Sequence, residues 1–89
     1  MSSSYRVEFT VRAAREFLHL PRAIQRRLRP RIDALAVDPR PPQSRPLEGY
    51  KDAWRLRVGE YRVLYEIRDD VLRILVIRVA HRGRAYRRR

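Results

Sequence analysis

No cysteine occurs among the 89 residues, which removes disulfides, thiolate nucleophiles and every Cys-ligated metal site. Histidine is nearly as scarce: His19 and His81 stand far apart, without the spacing of a metal-ligand pair. The three glycines, Gly49, Gly59 and Gly83, are isolated, so the chain lacks a phosphate-cradling glycine loop. No carboxylate cluster suggests a two-metal nuclease. The longest aliphatic run, Ile74-Leu75-Val76-Ile77, falls far short of a membrane span. Met1-Ser2-Ser3-Ser4 leads directly into a strand-like segment with no apolar signal region. These absences predict a soluble, cytoplasmic protein with no membrane association, no metal and no cofactor.

Lysine is almost absent too. Of 22 basic residues only Lys51 is lysine, and arginine supplies the rest. With ten acidic residues the formal charge is +12 and the sequence pI is near 11.5. Guanidinium presents a planar fork of donors that fits phosphate bidentately and keeps its proton. A partner rich in negative charge is the expectation. The hydrophobic fraction of 44% is that of an ordinary globular chain, and this length suits one domain spanning 1–89.

Tyr5, Val7 and Phe9 alternate with Arg6, Glu8 and Thr10, the period of a strand. Thr10 suits an N-cap, and Val11, Ala14 and Leu18 fall on one helical face. Pro21 separates a second helix, whose apolar stripe is Ile24, Leu28, Ile32 and Leu35; Pro30 inside it predicts a kink or split near Leu28. Asp38 to Pro46 holds four of the six prolines and reads as an extended loop. Trp54, Leu56 and Val58 then alternate with Arg55 and Arg57. Gly59-Glu60 reads as a two-residue type II′ turn, followed by the alternating strand from Tyr61. After a turn at Asp69-Asp70, Val71 to Ala80 is apolar on both faces at its centre and predicts a central strand. The order predicts an α+β domain: an N-terminal strand, a two-helix hairpin, then three antiparallel strands forming a small sheet with helices on one face. Residues 82–89 read as a basic C-terminal segment.

The two-residue turn sets Arg57 opposite Arg62, with Arg55 on the same face one pair further along. Like charges directly across a strand pair destabilise it, so a bound polyanion is the simplest rationale. His81-Arg82 is followed by Tyr86, the one place where a group titrating near neutrality stands beside arginine and tyrosine in the chain. His19 has no such neighbours. A metal-free set of arginines, a tyrosine and a histidine suits attack by an RNA 2′-hydroxyl on its own 3′-phosphate. The substrate supplies the nucleophile, so the protein needs only proton transfer and stabilisation of the phosphorane. DNA, lacking that hydroxyl, is excluded.

Trp54 to Ile67, and Val79-Ala80-His81-Arg82 followed by Tyr86, resemble the RelE/ParE superfamily of type II toxin–antitoxin toxins. Asp38-Pro39-Arg40-Pro41, leading to Leu47-Glu48-Gly49, resembles the same family, and the likeness runs from Tyr5 to Tyr86. The resemblance implies the fold above and, for RelE-like members, a ribosome-dependent endoribonuclease that cuts mRNA in the A site. It implies a cognate RelB-like antitoxin, acidic and partly disordered when free. It places basic site residues at Arg55, Arg57, Arg62 and Arg82, with Arg62 and Arg82 on the scissile phosphate and Tyr86 assisting the 2′-hydroxyl. Some RelE enzymes carry lysine where Arg55 and Arg57 stand, so base duty passes here to Tyr86, His81 or the ribosome. Relatives often have an acidic residue between Arg82 and Tyr86, where this chain reads Gly83-Arg84-Ala85. The resulting assignment is Arg57, Arg62, Arg82, Tyr86 and His81 for catalysis, with Arg55, Lys51, Arg84 and Arg87 for RNA binding. Two alternatives compete: a ParE-like inhibitor of DNA gyrase without RNA chemistry, and a non-catalytic basic RNA- or ribosome-binding protein.

Overall fold

The computed structural model describes residues 4–82. They form strand β1 (Arg6–Phe9), helices α1 (Val11–Leu18) and α2 (Arg22–Asp33), a 3-10 turn (Ala34–Ala36), and strands β2 (Ser44–Pro46), β3 (Ala53–Val58), β4 (Tyr61–Arg68) and β5 (Arg73–His81). The strands make one five-stranded sheet in the order β1-β5-β4-β3-β2. β1 runs parallel to β5, and the other neighbours are antiparallel. This is the expected α+β architecture. Ala13, Phe17, Leu28 and Ile32 of the helices pack against Leu56, Val63, Tyr65, Ile74, Val76 and Val79 of the sheet. β5 is flanked on both sides, which accounts for its apolar run.

The chain departs from its sequence pattern in four places. Ser44–Pro46 is a strand rather than loop, pairing Ser44 with Leu56 and Pro46 with Trp54. Proline is tolerated there because an edge strand turns half of its backbone groups away from the ladder. The α1 stripe is rotated: Val11 and Leu18 are each 69% exposed, and Ala13 and Phe17 are buried instead. Phe17 carries the larger apolar surface and meets Phe9 edge-on at 5.9 Å, so the helix turns to bury it. α2 runs unbroken through Pro30 to Asp33. The carbonyl that Pro30 leaves unbonded, four residues back, belongs to exposed Arg26, where water can serve it. β5 begins at Arg73, and Val71 lies in the preceding turn with Leu72, whose φ of 51° is left-handed. Elsewhere the pattern holds: the Thr10 side chain accepts from the Ala13 N–H at 3.0 Å, and Leu28, Ile32 and Leu35 are buried.

Two side-chain clusters fasten this frame. β1 pairs with β5 only as far as Val76, and beyond it Glu16 of α1 takes the place of a strand. Its carboxylate accepts from the Val79 N–H and from Arg78 Nε, both at 2.8 Å. At the other end of the sheet, Asp69 accepts from the Tyr5 hydroxyl at 2.6 Å and from Arg40 at 2.9 Å. Arg40 also lies over the Trp54 ring at 5.4 Å, and the Tyr65 hydroxyl donates to the Pro39 carbonyl at 2.7 Å. Arg40 and then Tyr5 hold the Asp69 carboxyl below the usual carboxylate range. Burial pushes the Tyr65 hydroxyl up to about 12.

Two outcomes follow for stability. Glu16→Ala strands a buried N–H and a half-buried guanidinium, and urea unfolding should register a loss of about 2–3 kcal/mol. The folded pKa of Tyr65 lies above its ordinary value of 10.0, so its contribution is complete below pH 10 and disappears as pH rises toward about 12. Denaturation midpoints should fall across that window in the wild type, and Tyr65→Phe should start lower and vary less there.

Candidate nucleic-acid interface

Side chains alternate across a strand, so the face of β3 and β4 turned from the helices receives Arg55, Arg57, Arg62, Leu64, Glu66 and Arg68. The register is the expected one: Val58 pairs with Tyr61 across the turn, and Arg57 pairs with Arg62. Gly59 takes φ +61° while Glu60 stays out of the left-handed region, consistent with the type II′ turn. A Cβ at Gly59 would lie 2.7 Å from the tip of the Arg27 guanidinium, a flexible end that can swing aside, so it is the left-handed backbone that demands glycine. A second like-charged pair lies one strand over, where Arg45 of β2 faces Arg55. Arg57 is exposed, Arg55 and Arg62 are half-buried, and Arg62 Nε and Nη1 are shielded from solvent.

Arg82 joins this end of the sheet through the turn. Its N–H donates to the Glu60 carbonyl at 2.7 Å, and its Nε lies 3.3 Å from the Glu60 carboxylate. His81 pairs with Tyr61 and therefore lies on the opposite face of the sheet from Arg57 and Arg62. There its ring meets Tyr61 edge-on at 5.5 Å, and Nε2 is 3.8 Å from Glu60. The expected grouping of His81 with the arginines is thus interrupted by the sheet, because odd and even positions diverge at the strand end. Lys51 precedes β3 and is separated from Arg57 by about 20 Å of strand rise. Arg84, Tyr86 and Arg87 lie outside the described residues. His19 Nδ1 donates to the Arg15 carbonyl at 2.8 Å, a local helix-end bond.

Sequence reading missed Arg45. Together with Pro42, Gln43, Arg55 and Arg57 it lines a cleft of about 320 Å³. Its position opposite Arg55 exists only because β2 pairs with β3, a pairing the proline-rich segment disguises. Several arginines elsewhere are held by carboxylates: Arg29 has Asp33, Arg40 has Asp69, and Arg78 has Glu16. Arg45 and Arg57 have no such partner among the described residues. The arrangement can therefore bind successive phosphates along an extended polyanion.

A family model describing the ParE toxin of type II toxin–antitoxin systems matches residues 7–86. A RelE-like toxin protein of Escherichia coli is 31% identical over 83 residues, covering 91% of this chain and 86% of that one. Among solved structures, the archaeal RelE–RelB complex from Pyrococcus horikoshii superposes with a TM-score of 0.78 at 32% identity, covering 90% of this chain and 97% of that one. The RelBE2 toxin–antitoxin complex of Mycobacterium tuberculosis gives 0.77 at 30% identity, covering 89% and 99%.

Opposed arginines impose a cost that substitution should relieve. Arg57→Gln is expected to raise unfolding stability by roughly 0.2–1 kcal/mol. The gain should shrink as salt screens the wild-type pair, which denaturation at two ionic strengths would reveal.

Proposed function

The chain belongs to the ParE toxin family within the RelE/ParE superfamily, and on that premise we propose that this type II toxin cleaves mRNA on the ribosome without a metal. The observation that carries the reading is the Arg57–Arg62 pair, set face to face on the sheet surface that the helices leave uncovered. The RNA 2′-oxygen attacks the adjacent phosphorus, the bond to the 5′-oxygen breaks, and a 2′,3′-cyclic phosphate and a 5′-hydroxyl result. Arg57, Arg62 and Arg82 stabilise the extra negative charge of the phosphorane, and Arg55 positions the strand. Arg82 must exchange the Glu60 carboxylate for the phosphate as substrate arrives. Proton transfer is assigned to Tyr86, which takes the 2′-hydroxyl proton as its own hydroxyl proton passes to the departing 5′-oxygen, since His81 lies across the sheet from Arg62. A cognate RelB-like antitoxin is proposed to cover the basic face, folding an acidic segment onto it.

The match to the ParE model favours a second reading, in which the protein inhibits DNA gyrase and performs no RNA chemistry. Primer extension on a defined mRNA in a translating mixture separates the two. The wild type should produce new 5′ ends in the A site, and Arg62→Ala should reduce their rate by about 10²–10³. His81→Ala should retain most cutting, and Tyr86→Phe should lose it. Absence of cleavage by folded wild type, joined to inhibition of supercoiling, would establish the gyrase reading instead.

A further inference from the structure

The charge of the cleft between β2 and β3 is of one sign. Arg45, Arg55 and Arg57 line it with Gln43 and Pro42, and no carboxylate is among its lining residues. Arg45 is held in place by neutral acceptors: its Nη1 donates to the Ser44 carbonyl at 3.0 Å and the Pro42 carbonyl at 3.3 Å. These bonds fix the side chain without neutralising its charge. The Gln43 side-chain oxygen accepts from Arg31 Nη2 at 3.2 Å, and its amide nitrogen is the group that can donate to an anion. The Gln43 backbone carbonyl accepts from the Arg57 N–H at 3.3 Å, tying the loop to the strand that carries the proposed catalytic arginine. A pre-positioned, uncompensated guanidinium beside two others is a site for an anion.

We infer that Arg45, with Arg55, Arg57 and Gln43, forms a second phosphate subsite that holds the backbone phosphate next to the scissile one. The Arg45–Arg55 pair lies two residues along β3 from the Arg57–Arg62 pair, about 7 Å of strand rise, the scale of one step along an extended RNA strand. The inference deepens the nuclease reading and rests on it for the identity of the anion. Arg45 is a positioning residue here: it seats the neighbouring nucleotide so that the scissile phosphate reaches Arg62. Single-stranded RNA is the occupant that the nuclease reading supplies, its backbone phosphate matching the forked donors of the guanidinium groups.

The test is a charge scan of the ligand. Short single-stranded RNAs blocked at every 2′-oxygen by methylation are bound at low salt and followed by fluorescence anisotropy, with one phosphate at a time replaced by a neutral methylphosphonate. One position should weaken wild-type binding about tenfold. At that position Arg45→Gln should bind the charged and the neutral RNA equally, and the adjacent position should be the one insensitive in Arg62→Gln. Arg45→Lys should recover part of the affinity, and the slope of log affinity against log salt should fall by about one unit in Arg45→Gln. Thermal melting confirms that each variant is folded. Wild-type affinity in Arg45→Gln, or equal effects of every neutral phosphate in that variant and the wild type, would overturn the subsite. Because the ligands cannot be cut, the outcomes separate: a wild type that cleaves mRNA but shows no coupling overturns the subsite alone. One that shows the coupling without cleaving retains the subsite and overturns the nuclease reading.

Discussion

The β3–β4 register governs both faces of this sheet at once. Because side chains alternate, a slip of one residue would exchange Arg57 for Val58 on β3, or Arg62 for Val63 on β4, turning charge into the core and aliphatic surface outward. The core contacts of Leu56, Val58 and Val63 with the helices therefore hold the arginines in opposition, although the opposition itself is unfavourable. The turn enforces the same register locally. Gly59 supplies the left-handed conformation that the two-residue turn requires.

Burial thus stabilises an arrangement that electrostatics opposes, and it does so on three strands. Arg45 faces Arg55 and Arg57 faces Arg62, whereas arginines such as Arg29 and Arg78 are set against carboxylates. A solvated surface selected only for folding has no reason to segregate its charges in this way. Glu60 marks the border of the segregated region, since it holds Arg82 beside the arginine pair and meets His81 on the other side.

Local periodicity made much of this legible. The hairpin, its turn and the Arg57–Arg62 pairing follow from two-residue alternation around Gly59, and Leu28, Ile32 and Leu35 follow from helical spacing. The resemblance of Trp54 to Ile67 to the RelE/ParE toxins agrees with the family match. What stayed hidden depends on contacts between distant segments. Ser44–Pro46 becomes a strand only through β3, so Arg45 had no visible opposite number. Val11 and Leu18 are apolar like Phe17, and the face of α1 that is buried is the one on which the larger Phe17 meets Phe9. The separation of His81 from Arg62 needed strand parity carried through two turns.

The use of Glu16 as a substitute for a strand bears on how copies of this protein meet. Past Val76 the outer side of β5 would present an unpaired ladder, the template for edge-to-edge polymerisation. Glu16 caps the Val79 N–H and draws Arg78 alongside, so a neighbouring chain finds a salt bridge there rather than an open backbone. The sheet's other margins are β1, four residues long with Arg6 and Glu8, and β2, three residues ending in Pro46. A side chain reaching across from a helix thereby guards the sheet against growth into fibres, and does so without adding a residue to any strand.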